Sequence, residues 1–220
     1  MAFRSLSVTA SLCLLGAMAA SAQQSAPIVQ PGAPGEPGKH LTEATARIPA
    51  KTPFPADIEF MQGMIMHHSQ AVDMVLLLRT RGKSPILKSF GEKISISQTD
   101  EIGFMKRWLE DRSKPTTMQM DHSKMSPAQM KNMKMDMLMP GMLTPEQMTA
   151  LAKASGAQFD HLFLTGMIQH HGGALTMVEE LFRTPGAGQE PVLFDFATDI
   201  ENTQSAEIKI MRGMLDKERK

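Results

Sequence analysis

Two adjacent histidine pairs, His67-His68 and His170-His171, each preceded about one helical turn earlier by a methionine, are the residues of this chain best suited to chemistry. Met64 is i−3 from His67 and i−4 from His68, and Met167 stands in the same relation to His170 and His171, so on a helix a thioether and two imidazoles share one face. Soft sulfur combined with imidazole suits Cu(I) first and Ag(I) second, whereas Ca²⁺ and Mg²⁺ call for oxygen ligands. A lone histidine on an apolar face is more often a satisfied core residue. Four of the seven histidines gathered in two methionine-flanked pairs favour ligation over the competing account, a polar network that only holds the helices in register. Carboxylates that could orient the outer ring nitrogens are Asp57 and Asp160, about three turns before each pair, and Glu101 and Glu207.

A second candidate set lies between the pairs, where ten of the chain's 21 methionines fall between Met118 and Met148. Met118, Met120, His122 and Met125 come first; Met133, Met135, Met137 and Met139 follow at every second position, which puts thioethers on one side of an extended segment. A Met-biased linker kept solvated by Lys124, Lys131, Lys134, Asp121 and Asp136 is the plainer account. Methionine is scarce in ordinary linkers because it is apolar and easily oxidised, so metal capture is the stronger reading.

The elements that must position these residues are legible as a repeat. Asp57, Phe60, Gly63, Met64, Ile65, His67, His68, Ala71 and Met74 recur 103 residues later as Asp160, Phe163, Gly166, Met167, Ile168, His170, His171, Ala174 and Met177. A second match pairs Ile94, Gln98, Glu101, Ile102, Met105 and Leu109 with Ile200, Gln204, Glu207, Ile208, Met211 and Leu215, so the repeated unit is a helical hairpin. The first helix is expected from Pro55 and Asp57 to near Gly82, and the second from Ser84-Pro85 to about Arg112. Thr144-Pro145-Glu146-Gln147 reads as a capping box opening a short helix that Gly156 can terminate. A third long helix follows from about Ala157 to Arg183 and a fourth from Pro191 to about Lys217. No stretch alternates as a sheet would, so the fold class is all-α. Gly63 and Gly166, one turn before each histidine pair, are placed to allow close helix approach.

Residues 1–22 read as a secretory signal, with Arg4, an apolar run from Val8 to Ala20 and a small-x-small site at Ala20-Ser21-Ala22, cleavage being expected after Ala22. Cys13 lies inside it, so the mature chain is expected to hold no cysteine, and its soft ligands reduce to Met and His. Residues 23–53, with six prolines and several glycines, are expected to be a disordered tether. The domain proper is then 54–220, with the Met-rich loop 113–143 inserted between the hairpins. Without the leader the charge is nearly balanced, 22 basic against 23 acidic residues, which argues against a nucleic-acid partner. No later run reaches the ~18 apolar residues of a membrane span, so stable insertion of the mature chain is not expected.

On the residues Phe60-x-x-Gly-Met-Ile-x-His-His-x-x-Ala, Leu143-Thr144-x-x-Gln147-Met148, Gly156, Phe159-Asp160 and Met167-Ile168-x-His170-His171-x-Gly173-Ala174, the chain resembles the exported bacterial family known as domain of unknown function 305. The resemblance covers roughly residues 55–216. It implies a ferritin-like four-helix bundle of two tandem hairpins and, in some members, Met and His ligands for copper or silver. A di-iron oxidase on a similar bundle needs two Glu-x-x-His motifs, and this sequence has none. It also lacks a nucleophile elbow and a His-Glu-x-x-His motif. The expectation is therefore a periplasmic or secreted Cu(I)-binding protein, without catalysis of its own, that sequesters metal or exchanges it with a donor or acceptor protein. The alternatives are an interaction protein using the Met-rich loop as a recognition surface, and a copper-dependent redox enzyme.

Overall fold

Three of the four long helices start where a proline supplies a fixed φ and a missing N–H at no cost to the first turn. In the computed structural model, which describes residues 28–30, 39–41, 52–118 and 138–218, α1 spans Pro55–Arg81, α2 Pro85–Glu110, α3 Pro145–Lys153, α4 Gly156–Arg183 and α5 Pro191–Glu218. Four of these five begin on proline, and α2 is also capped by Ser84, whose Oγ accepts from Leu87 N–H at 3.2 Å. The expected capping box opens α3: Thr144 N–H donates to Gln147 Oε1 at 2.8 Å and Gln147 N–H to Thr144 Oγ1 at 3.2 Å. That helix stops at Lys153, before Gly156. Gly156, at φ +63°, instead turns the chain into α4.

The all-α class holds for the bundle, with one local difference ahead of it. The chain divides into two units, Met1–Ala50 and Lys51–Lys220. In the first, where a tether without regular structure is expected, β1 (Ile28–Gln30) pairs antiparallel with β2 (Lys39–Leu41), Ile28 opposite Leu41. The β-branched Ile28 and Val29 carry the strand preference that the surrounding prolines and glycines lack. The expected signal segment, residues 1–22, together with Met120, His122, Met125, Met133, Met135 and Met137, lies outside the described residues.

In the second unit α1 packs along α2 and α4 along α5, and the hairpins meet chiefly through α1 and α4. The core has two apolar clusters. One joins Phe60, Met61, Met64 and Trp108 to Met177, Leu181 and Leu193; the other joins Met74, Leu78 and Leu87 to Phe159, Phe163, Met167 and Met211. The first thus takes the early turns of α1 and the later turns of α4, and the second the reverse, so the two helices run antiparallel with the histidines between the clusters. Methionines fill both: Met61, Met64, Met74, Met105, Met167 and Met211 are fully buried, each contributing roughly 1.5–3 kcal/mol of apolar transfer.

Buried aspartates latch each hairpin to the other. Asp160 on α4 accepts from Lys83 N–H at 2.9 Å and Ser84 N–H at 2.8 Å, closing the α1–α2 turn. Asp57 on α1 accepts from Gly188 N–H in the α4–α5 turn at 2.7 Å and from its own Phe54 N–H at 2.9 Å. Asp160→Ala leaves two backbone donors without their acceptor and should lower unfolding free energy by about 2 kcal/mol, whereas Asp160→Asn, keeping one acceptor, should cost less. Urea denaturation checks this; equal stability of Asp160→Ala and wild type would remove the latch.

Candidate metal centre

All four paired histidines are fully buried, on facing surfaces of α1 and α4. The rings of His67 and His170 meet across the interface with centroids 3.7 Å apart and planes at 35°, so the two histidine pairs face each other. His68 and His171 flank them, at 6.3 Å from His67 and 6.2 Å from His170. Removing so much polar surface from water is costly unless each ring nitrogen finds a partner.

One nitrogen of every ring does. His68 Nε2–H donates to Glu101 Oε2 at 2.6 Å, and His171 Nε2–H to Glu207 Oε2 at 2.6 Å. His67 Nε2–H donates to the Pro140 carbonyl at 3.0 Å, and His170 Nε2–H to the carbonyl of His67 itself at 2.9 Å. Carbonyls and carboxylates only accept, so the proton sits on Nε2, and in the neutral ring Nδ1 is left as a bare lone pair. All four Nδ1 atoms are buried without a hydrogen-bond partner. A carboxylate or carbonyl fixing one ring nitrogen while the other is buried with its lone pair unused is the arrangement a metal-ligating imidazole uses.

The remaining sequence candidates sort by place. Glu101 and Glu207, anchored on α2 and α5, stand at the outer nitrogens; Glu101 is further held by Ser97 Oγ–H at 2.9 Å. Asp57 and Asp160 touch no histidine, since both oxygens of each are taken by turn and cap N–H groups, and this corrects their expected place beside the imidazoles. Met64 and Met167 are buried one turn from their pairs, but in opposite apolar clusters, so they lie on either side of the imidazole layer rather than together. Met118 and Met139, the loop candidates among the described residues, come together near Gly63. Among the described residues no three His, Cys, Asp or Glu side chains gather as a metal-holding group.

Sequence reasoning missed two features. Gln98 and Gln204, each one turn before its glutamate, are buried with neither amide atom partnered; both stood in the repeat, which was the available signal. The other is a strap, residues 138–143, laid over the layer. Besides Pro140 on His67, it is clamped by Gln70, whose amide donates to Leu143 O at 2.9 Å and accepts from Leu143 N–H at 2.7 Å. A Cβ on Gly173 would fall onto the Pro140 carbonyl, and Gly141, at φ +75°, would meet the Gln169 carbonyl in the same way, so both must be glycine.

A four-helix chain of two tandem hairpins, joined through paired histidines at the crossing of their first helices, is the class defined by this geometry. The profile of the family described as "Domain of unknown function (DUF305)" matches residues 57–215, and the chain belongs to that family. It is similar to a DUF305 protein of Streptomyces coelicolor, at 27% identity over 74% of this chain and 93% of that one with a TM-score of 0.61. A DUF305 fragment of Deinococcus radiodurans matches at 26% identity over 76% and 99%, TM-score 0.61. CopM in its Cu(I)-bound form matches at 28% identity over 73% and 96%, TM-score 0.55, and CopM is also known in Cu(II)-bound and Ag-bound forms. An uncharacterized mimivirus protein, L153, is 39% identical over 56 residues, a match that takes in 37% of its length.

Burial holds the stacked pair in its neutral form. Desolvation, then the neighbouring His68, lowers His67 to about 3 from an ordinary 6.5, and desolvation, then His67, sets His170 well below its ordinary value. The unfolded chain takes up these protons as pH falls through 6.5 and the fold does not, so their contribution is complete above that point and shrinks toward pH 3. Metal-free protein should lose about 3 kcal/mol through His67 by about pH 4, and His170 should add a loss of the same sign. Urea titrations across this range, compared with His67→Gln, check it; a flat profile would show the rings titrating alike folded and unfolded.

Proposed function

We propose that this chain is an exported Cu(I)-binding protein, able to take Ag(I) in its place, that sequesters the metal or passes it to a partner protein. The observation that carries the reading is the imidazole layer: four buried rings, each with Nε2 fixed by an acceptor and Nδ1 left as an unused lone pair. The residues present fit the cation. Cu(I) accepts nitrogen and thioether sulfur in low coordination numbers, and both stand in or beside the layer with no cysteine among the described residues. His67 and His170, held neutral by burial, need shed no proton to ligate, so binding at the stacked pair persists in mild acid. The copper- and silver-bound forms of CopM support the same assignment. His67, His68, His170 and His171 are the proposed ligands, with Met64 and Met167 the thioethers about one helical turn before each pair and Glu101 and Glu207 orienting the flanking rings. Met120, His122, Met125, Met133, Met135 and Met137 are assigned to capture, and the leader reading of residues 1–22 supports a periplasmic or secreted place of action.

Anaerobic Cu(I) titration against a chromophoric chelator tests this directly. Wild type should hold Cu(I) against the chelator, and Glu101→Gln with Glu207→Gln should weaken the tighter phase roughly 10–100-fold with helical content unchanged. Deleting residues 119–137, which spares the strap, should lower the stoichiometry and leave that tighter phase in place. A wild-type chain that takes up no Cu(I) would end the copper reading and leave the histidines as a registration network.

A further inference from the structure

Met118 and Met139, the two members of the loop set that lie among the described residues, meet a third methionine, Met177, which belongs to the repeat. A Cβ built on Gly63 would lie 3.2 Å from Met139 Sδ, 3.3 Å from Met177 Cε and 3.4 Å from Met118 Cε. Three thioether ends, from the exit of the first hairpin, from the strap and from α4, thus surround one point where α1 carries no side chain. They border a cavity of about 270 Å³ that also takes in Glu59 and Glu180. We propose that Met118, Met139 and Met177 form a separate three-thioether site for Cu(I) or Ag(I) over Gly63, built outside the imidazole layer; it rests on the copper reading and adds to it a solvent-facing position.

Packing alone does not account for the arrangement, because the molecule contains its own control. The repeat places Gly166 where Gly63 is and Met74 where Met177 is. There the glycine is met by Leu143 Cδ2 at 3.0 Å and Met74 Cε at 3.3 Å, and Leu143 is buried. A leucine and one methionine fill that half. Around Gly63 the same bulk is delivered as three methionine side chains, two of them on half-buried residues beside an opening. Three uncharged thioethers can surround a monovalent soft cation, and they discriminate against Mg²⁺ and Ca²⁺, which want oxygen. The carboxylates of Glu59 and Glu180 add a field that favours cations over anions at the mouth. Met139 precedes Pro140, whose carbonyl receives the His67 Nε2 proton, so the site is one residue along the strap from the imidazole layer.

The experiment uses the full chain labelled with ¹³C at the methionine methyls, Ag(I) as a redox-silent probe, and single Met→Leu substitutions to assign the resonances. Expected is that the Met118, Met139 and Met177 methyls shift together over one equivalent of Ag(I), and still do so in Glu101→Gln/Glu207→Gln. Met118→Leu/Met139→Leu, altering two half-buried positions, should abolish the Met177 shift while leaving helical content unchanged. If other methionine or histidine signals move and these three methyls do not, the site is overturned and the copper reading stands. If no methionine or histidine signal responds, the copper reading fails and this site fails with it.

Discussion

Four imidazoles buried at one helix crossing impose the constraint around which this molecule is built. Each ring needs an acceptor for its proton, and the acceptors come from four different places: α2, α5, the strap and the backbone of α1. Satisfying the outer nitrogens therefore fixes both hairpins and the returning loop relative to α1 and α4. The apolar clusters above and below do the bulk of the stabilising, but their many methionines would tolerate several registers. The polar layer admits one, because displacing a helix by a turn would separate His68 from Glu101 and His171 from Glu207 and strand their buried groups.

What the sequence made legible follows from local physics. Prolines at first-turn positions, the Thr144–Gln147 box and the duplicated Phe-Gly-Met-Ile-His-His pattern act over a few residues, and the helices begin and end within a residue or two of where those signals put them. Glu101 and Glu207 were visible as carboxylates recurring with their histidines. The latches at Asp57 and Asp160 were not, since their partners are backbone N–H groups in turns 76 to 131 residues away, and a turn's free N–H leaves no mark on side-chain pattern. The strap was hidden for the same reason: Pro140 contributes a carbonyl, which every residue has. Gly173 was visible within the family pattern, but its function, letting backbone rest on backbone, depends on what lies opposite.

Duplication and insertion pull in different directions here. The repeat gives His68 and His171 equivalent surroundings and gives Gly63 and Gly166 equivalent places on their helices. The inserted segment has no duplicate, so it serves the halves unequally: it supplies Met118 and Met139 to the Gly63 half, Leu143 to the Gly166 half and Pro140 to His67, while His170 turns to the carbonyl of His67 instead.

Near-twofold symmetry also governs how occupants can be counted. The contact between His67 and His170 lies on the relating axis, so anything held by both rings is held once per chain. His68 with Glu101 and His171 with Glu207 lie off the axis, so whatever one accepts, the other accepts too. Odd and even loadings of a single polypeptide thereby become reporters of where on the symmetry its guests reside.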